Sequence, residues 1–361
     1  MCKNLYWTKI YSAKEDTTDE MIKLDTISAS SREWNLVNQS TVYSDAEQFY
    51  QIFRYERKTY DELYVHLVKD LMNFGSKRED RTGVGTLSLF GRQLRFNLRN
   101  GEIPLLTIKK VFWRSIVAEL LWFLSGNTNA KILTEQKVHI WDGNTSREFL
   151  DNMAKSAKDD KLKQIFLNRE PGDCGPNYGF QWRHFGAKYV DFKTPVLGGV
   201  DQIENVIRDI KNNPFSRRLI VSAWNPVDIE STNLPPCHSF FQFYVDNGEL
   251  SCHVFLRSND TGLGMPSNLA SYSLLTNMIA HLTDLKPGEL VYSVSDLHWY
   301  ADSLSQMKEI SERKLILDQK FPTLLVIPGE DKVEKITDFK ADHFKLYNYF
   351  PQDAVRMKMA V

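Results

Sequence analysis

Cys237 is the residue best equipped for chemistry in this chain of 361 residues, within Leu234-Pro235-Pro236-Cys237-His238. Each proline fixes its own φ and biases the residue before it toward an extended conformation, so the thiol sits on a stiff lead-in. A strand-like alternation follows from Ser239 to Val245, then the turn signal Asp246-Asn247-Gly248 and a second alternating run, Glu249 to Arg257. Hairpin geometry would return the Arg257 guanidinium to the neighbourhood of Cys237. A positive charge there is expected to lower the thiol pKa and supply a thiolate nucleophile near neutral pH. Cys2, Cys174 and Cys252 read as small buried hydrophobes.

Other candidates are scattered along the chain. Glu119 is the one acid in the apolar run Val111–Leu124, where a buried carboxylate is costly unless hydrogen-bonded or chemically employed. Arg81 stands in Arg81-Thr82-Gly83-Val84-Gly85 and reads equally as a turn residue or as a group held where backbone can approach a phosphate; the spacing is not that of a P-loop. Trp141-Asp142-Gly143-Asn144 is a turn with an aromatic platform, and Gly175-Pro176-Asn177-Tyr178-Gly179 delivers a tyrosine between glycines. Arg217 and Arg218 enter a strand side by side and so point to opposite faces, useful together only with ligands on two sides or with a partner subunit. Asn268 is well placed as the N-cap of a buried helix running to Leu282.

The elements that must position these residues follow from periodicity. Tyr60, Leu63, Leu67, Leu71 and Phe74 recur at helical spacing, ended by Gly75. Leu87 to Phe96 alternates with a phase slip at Gly91, as in a bulged strand. Val111–Leu124 predicts a buried helix, and residues 152–172 an inserted surface segment. A helix carrying Val200, Ile203, Val206, Ile207 and Ile210 precedes a strand Leu219–Trp224, and Leu290–Val294 forms another. Residues 1–56 are polar, without sustained period, and read as a partly disordered extension; residues 57–361 form the catalytic domain. The aromatic run Phe49–Phe53 offers a docking patch.

A net charge of −1 gives no overall pull toward nucleic acid or an acidic membrane. Four cysteines at irregular positions make neither a disulfide framework nor a zinc spacing, so no metal is expected and a reducing compartment is. The first residues lack a signal-peptide core, and no stretch reaches the roughly 18 apolar residues of a membrane span. A soluble, intracellular protein is expected, cytoplasmic or nuclear.

Together these segments resemble the thymidylate synthase family from about residue 57 onward. The resemblance runs through Asp80–Gly83, Glu119–Phe123, Gln181–Gly186, Leu234–His238, Arg257-Ser258, Asn268–Tyr272 and the terminal Met359-Ala360-Val361. It implies an α+β fold, a twisted mixed β-sheet packed with helices, and a sheet-to-sheet homodimer with shared active sites. It implies reductive methylation of dUMP to dTMP, with 5,10-methylenetetrahydrofolate as co-substrate and dihydrofolate as product. By position, Cys237 would add to C6 of uracil. Arg81, Arg257 and Ser258 would grip the phosphate, with Arg217 and Arg218 reaching from the other subunit. Asn268 would read the uracil edge, and His298 and Tyr300 would hold the ribose hydroxyl. Trp141, Asn144, Asp260, Leu263, Gly264 and Val361 would serve the folate, with Asp260 and Asn268 also counted in the catalytic set. Glu119 would order a water network and Tyr178 assist removal of the C5 proton. The 56-residue extension is too short for the reductase domain of bifunctional members.

Four positions depart from the family pattern: Leu256 replaces Gln, Ser267 replaces Phe, Asn177 an apolar residue, and Ser295 a Gly. Ser267 and Asn177 add polarity where water is to be excluded. Two other functions therefore stand beside the first. One is a pyrimidine hydroxymethylase, acting on dUMP rather than dCMP, in which water captures the exocyclic methylene. The other is a catalytically silent RNA-binding or regulatory dimer, against which the intact catalytic set argues.

Overall fold

One six-stranded mixed sheet carries Arg257, Ser258, Asp260, His298 and Tyr300, with Cys237 immediately before one of its strands. In this computed structural model, which describes residues 4–12, 34–40, 42–45, 48–316 and 320–359, the chain divides into two units, Met1–Leu67 and Val68–Val361.

In the first unit, β1 (Asn4–Ser12), β2 (Trp34–Gln39), β3 (Tyr43–Asp45) and β4 (Gln48–Arg57) form an antiparallel sheet ordered β1-β4-β2, with β3 also on β4. These strands fall largely within residues 1–56, read above as an extension. The aromatic run Phe49–Phe53 lies within β4. Residues 13–33 lie outside the described residues. Helix α1 (Tyr60–Phe74) spans the division. A capping box opens it: Glu62 N–H donates to Thr59 Oγ1 at 3.2 Å, and Thr59 N–H to Glu62 Oε2 at 2.6 Å. Leu63, Leu67 and Leu71 are buried as their spacing predicts, whereas Phe74 is exposed at the helix end.

The second unit holds β5 (Ser76–Arg78), β6 (Thr86–Asn97), α2 (Trp113–Leu124), α3 (Lys131–Glu135), α4 (Arg147–Lys155), α5 (Asp160–Asn168), α6 (Tyr178–His184) and α7 (Gln202–Asn212). Then come β7 (Ile220–Ser222), β8 (His238–Asp246), β9 (Glu249–Asp260), α8 (Gly264–Leu282), β10 (Lys286–Tyr300), α9 (Leu304–Glu312), β11 (Thr323–Val326) and β12 (Phe344–Tyr347). The sheet order is β5-β6-β10-β9-β8-β7, antiparallel except for the parallel pair β9 and β10. A parallel pair needs a crossover, and α8 provides it. Leu269, Leu274, Leu275, Met278 and Ile279 on α8 are fully buried, as a helix apolar nearly all round must be. Helix α2 packs on α8 and α6.

The β8–β9 hairpin closes through Asn247 and Gly248, both at positive φ, the geometry that a two-residue turn between twisted strands requires. Alternation then decides the faces. Phe241, Phe243, Val245, Leu250, Cys252 and Val254 face the helices, while Phe240 and Tyr244 lie on the open side. Gly91 takes φ +69° inside β6, where the phase slip was read, and Ser295 stands between the residue pairs that flank it. Val200 is exposed and precedes α7 rather than belonging to it; Ile203, Val206, Ile207 and Ile210 are buried as expected. The insertion 152–172 is built on α4 and α5, which close a small core of Leu150, Ala154 and Phe166. Of the long strand Leu219–Trp224, Ile220–Ser222 forms regular strand, while Leu219 O accepts from Phe243 N–H and the Ala223 and Trp224 N–H groups donate to Ser239 O.

Candidate active site

Cys237 ends the prolyl lead-in just before β8, and Arg257 lies opposite it on β9. The Arg257 N–H donates to Cys237 O at 2.9 Å. Its guanidinium donates to Pro236 O at 2.9 Å and Pro235 O at 2.7 Å, and Nη2 stands 3.8 Å from Cys237 Sγ. The guanidinium also lies 5.6 Å from the Trp224 ring centroid. Arg257 thus fastens the same two prolines that stiffen the approach to the thiol. Its Nη1 makes no hydrogen bond among the described residues.

The thiol does not behave as the sequence suggested. Burial raises its pKa, and the charges of Arg257 and Arg81 with the Tyr178 hydrogen bond offset this only in part. The net direction is upward, so the resting group is a thiol. The hairpin does deliver the guanidinium; the surrounding protein removes more solvation than the guanidinium replaces.

Arg81 is brought near Cys237 by a loop that Asp80 organises. Asp80 accepts from Thr82 N–H at 3.0 Å, Thr82 Oγ1 at 2.7 Å and Gly85 N–H at 2.9 Å. Burial opposes ionisation of Asp80, but these donors together hold its carboxyl below the usual value. The Arg81 side chain is exposed beyond this loop. Tyr300, at the end of β10, senses Arg81, Asp80, Asp260 and Cys237, and burial pushes its phenol up to about 12. His298 lies 5.3 Å from Tyr300, ring to ring, and 3.5 Å from Ser258 Oγ.

Tyr178 opens α6 and accepts the Cys237 N–H at 2.7 Å. Asn177, unusual in the motif, has a structural reason: it caps α6, its Oδ1 accepting from Tyr178 N–H at 2.7 Å. His238 stacks on Tyr178 at 4.0 Å and 16°, with Nδ1 2.8 Å from the Tyr272 hydroxyl. Burial pulls its pKa down to about 3, so the imidazole is neutral. The sequence reading assigned His238 no role although it adjoins Cys237.

Glu119 projects from α2 beside Trp141, whose indole N–H donates to Oε1 at 2.8 Å. Burial raises its pKa to about 7, and the Trp141 bond opposes that rise. A carboxyl poised near neutrality can both give and take a proton. Trp141 in turn packs against Trp122, Phe123 and Tyr178. Asn144 is buried, its carbonyl accepting from Asn233, and its Nδ2 has no partner among the described residues.

Asp260 lies at the entrance to α8. Its carboxylate accepts from Gly262 N–H at 2.8 Å and from Leu263 N–H. Burial raises its pKa against the pull of those bonds, His298 and Lys109. Lys109 is a second group the sequence reading missed. Its ammonium donates to Gly262 O, and burial lowers its pKa to about 8 despite Asp260. The only signal was a lysine in an apolar run, which more often snorkels to solvent.

Asn268 is not an N-cap. Leu263 holds that position without a side-chain bond, and Asn268 sits within α8 on its partly exposed side. Ser267 bonds weakly to Leu263 O at 3.4 Å. Leu256 is wholly buried opposite His238, so an apolar side chain there serves the core.

The fold therefore gathers Cys237, Arg81, Arg257, Tyr178, Asp260 and Tyr300, with Ser258 and His298 alongside and Glu119 reached through Trp141 and Tyr178. Arg217 and Arg218 are exposed and are not among the charges felt by Cys237. Val361 lies outside the described residues. Among the described residues no metal-holding group of His, Cys, Asp or Glu occurs.

The profile of the thymidylate synthase family matches residues 62–361. The chain belongs to the thymidylate synthase family. Relatives include the bifunctional dihydrofolate reductase-thymidylate synthase of Daucus carota, 52% identical over 300 residues, which cover 83% of this chain and 54% of that protein. The thymidylate synthase of Homo sapiens is 48% identical over 82% of this chain and 90% of its own length. That of Equine herpesvirus 2 is 49% identical over 82% of this chain and 97% of its own. The chain spans about half the length of the bifunctional relatives it matches. No helix among the described residues is long and apolar enough to cross a membrane.

Proposed function

We propose that this chain converts dUMP to dTMP by reductive methylation through a covalent bond between Cys237 Sγ and C6 of the uracil. The observation that carries this reading is the convergence of a stiffly held thiol and two guanidiniums, with a carboxyl titrating at about 7 linked to them through Trp141 and Tyr178. Uracil C5 is not nucleophilic until the Cys237 thiol passes its proton to ordered water and Sγ adds at C6, which saturates the ring and leaves an enolate. Arg81 and the free Nη1 of Arg257 receive the phosphate with Ser258, each guanidinium offering a fork of donors. His298 and Tyr300 hold the ribose hydroxyl, and Asn268 pairs with N3–H and O4.

Glu119, near half-ionised at neutral pH, orders the water that exchanges protons with the base. Tyr178 stays a neutral phenol, since burial carries its pKa well above 10, and it orients the water that removes the C5 proton. The residues proposed for the folate fit a polar, planar guest: Trp141 offers a ring, Asn144 an orphaned buried N–H, and Asp260, Leu263 and Gly264 the α8 entrance. Methylenetetrahydrofolate would supply the one-carbon unit and the hydride there, and Val361 is assigned to the same site. Metal is not required.

Two further features support a homodimer joined sheet to sheet. The open face of the sheet exposes Phe90 and Tyr244, 82% and 66% exposed, with Phe240 beside them. Arg217 and Arg218 are exposed and do not act on this chain's own Cys237, which leaves them available to a partner's phosphate site. Nucleic acid plays no part in the proposed reaction.

The test is turnover by the purified protein, with dihydrofolate followed by absorbance and the nucleotide identified by mass. Equal amounts of dTMP and dihydrofolate are expected, and none from Cys237→Ala. A hydroxymethyl nucleotide without dihydrofolate, or full turnover by the variant, would overturn the reading.

A further inference from the structure

Behind the proposed uracil site, the Tyr292 hydroxyl stands between two side-chain amides. Tyr292 lies on β10, is 1% exposed, and donates to Asn259 Oδ1 at 2.9 Å. The Asn268 side chain stands close enough to the same hydroxyl to act on it as a donor, and Cys237 is close enough to be felt electrostatically. A phenol has one proton. With that proton committed to Asn259, the Tyr292 oxygen is left to accept from Asn268 Nδ2. The amides flank the first turn of α8: a β-carbon on Gly264 would stand 3.2 Å from Asn259 Nδ2 and 3.9 Å from Asn268 Nδ2. Packing alone does not call for this arrangement. A phenylalanine would fill the same space without burying a hydroxyl, which is costly unless it is hydrogen-bonded.

We infer that Tyr292 and Asn259 form a relay of fixed polarity that holds the Asn268 amide in the orientation that accepts uracil and rejects cytosine. This rests on the assignment of Asn268 to the pyrimidine edge. One Asn268 N–H is spent on Tyr292, and the other N–H and Oδ1 face the base. That pair complements O4 and N3–H of uracil. Cytosine presents a donor at C4 and an acceptor at N3, so its binding requires the amide to turn over. Turning it would set Asn268 Oδ1 against the Tyr292 oxygen, whose proton points the other way. To relieve this, the Tyr292 proton and the Asn259 amide must reverse as well. Tyr292 and Asn259 are positioning residues: they act on the base only through Asn268.

The experiment compares calorimetric dissociation constants for dUMP and dCMP in wild-type protein, Tyr292→Phe and Asn259→Ser, with thermal melts as a check on folding. The relay predicts that the preference for dUMP falls at least tenfold in both variants, by weaker dUMP binding, stronger dCMP binding or both. A purely structural role would weaken both nucleotides alike and leave their ratio alone. A folded Tyr292→Phe with a ratio within twofold of wild type overturns the relay; if that variant does not fold, Asn259→Ser decides by the same ratio. Failure of the wild-type protein to bind dUMP would remove the site assignment and the relay with it. Binding of dUMP without methylation would overturn the proposed reaction alone.

Discussion

Glu119 titrates near 4.5 when unfolded and at about 7 in the folded chain, because burial disfavours its charge. Folding therefore disfavours its ionisation, and the consequence for stability has a definite sign. Below about pH 4.5 both states are protonated and nothing is lost. Stability then declines as pH rises toward 7 and stays on the lower level above it, by up to about 3 kcal/mol. Glu119→Gln keeps an acceptor for the Trp141 indole and removes the charge. Denaturant titrations at pH 8 should show the variant more stable than its parent, with a much smaller gap at pH 5. Its kcat should fall roughly a hundredfold, the usual scale of a lost acid–base group, and the inflection near pH 7 should vanish from the rate profile. An undiminished kcat would take Glu119 out of the chemistry. Cys237 shows the same competition decided by burial, which is why a neighbouring arginine in the sequence was an incomplete guide to its ionisation.

At the scale of elements, the loop Asp80–Gly85 is a device for presenting Arg81. Its backbone is held by one carboxylate through three donors rather than by packing. Asp80→Ala should leave the sheet intact and loosen the loop. The KM for dUMP should rise about tenfold while kcat changes little, since binding is removed uniformly from ground and transition states. Steady-state kinetics with a melting curve measures both; an unchanged KM would mean that Arg81 does not reach the nucleotide. The hairpin and α8 were legible from alternation and apolar content. The capping box at Thr59 and Glu62 is equally legible in the spacing Thr-x-x-Glu. Val200 and Phe74 continue a helical spacing in the sequence, yet each falls where the helix begins or ends and faces solvent.

For the whole molecule, the two exposed arginines and the apolar open sheet face belong to one proposal. If Arg217 completes the partner's phosphate site, Arg217→Ala and Cys237→Ala homodimers should each be nearly inactive. Mixed after unfolding and refolding, they should regain activity, because a hybrid holds one site with both groups intact. Random assortment sets the ceiling at about a quarter of wild-type activity for a C2 dimer. Hybrids that form, by mass spectrometry or tagged pull-down, and stay inactive would refute the shared site.

The sequence by itself determined the prolyl lead-in to Cys237, the hairpin, the buried crossover helix and the family, because these reside in local spacing and ordered motifs. It also placed Glu119 as an acid in an apolar helix, where the structure buries it. What tertiary structure alone decided are quantities summed over distant residues. Desolvation outweighs the Arg257 charge at Cys237, an indole 22 positions away steadies Glu119, and β9 and β10 bring Asn259 and Tyr292 together. No window of neighbouring residues contains those sums. The surroundings of His238, Lys109 and Tyr292 were hidden for the same reason: each depends on partners that only the packed sheet and helices supply.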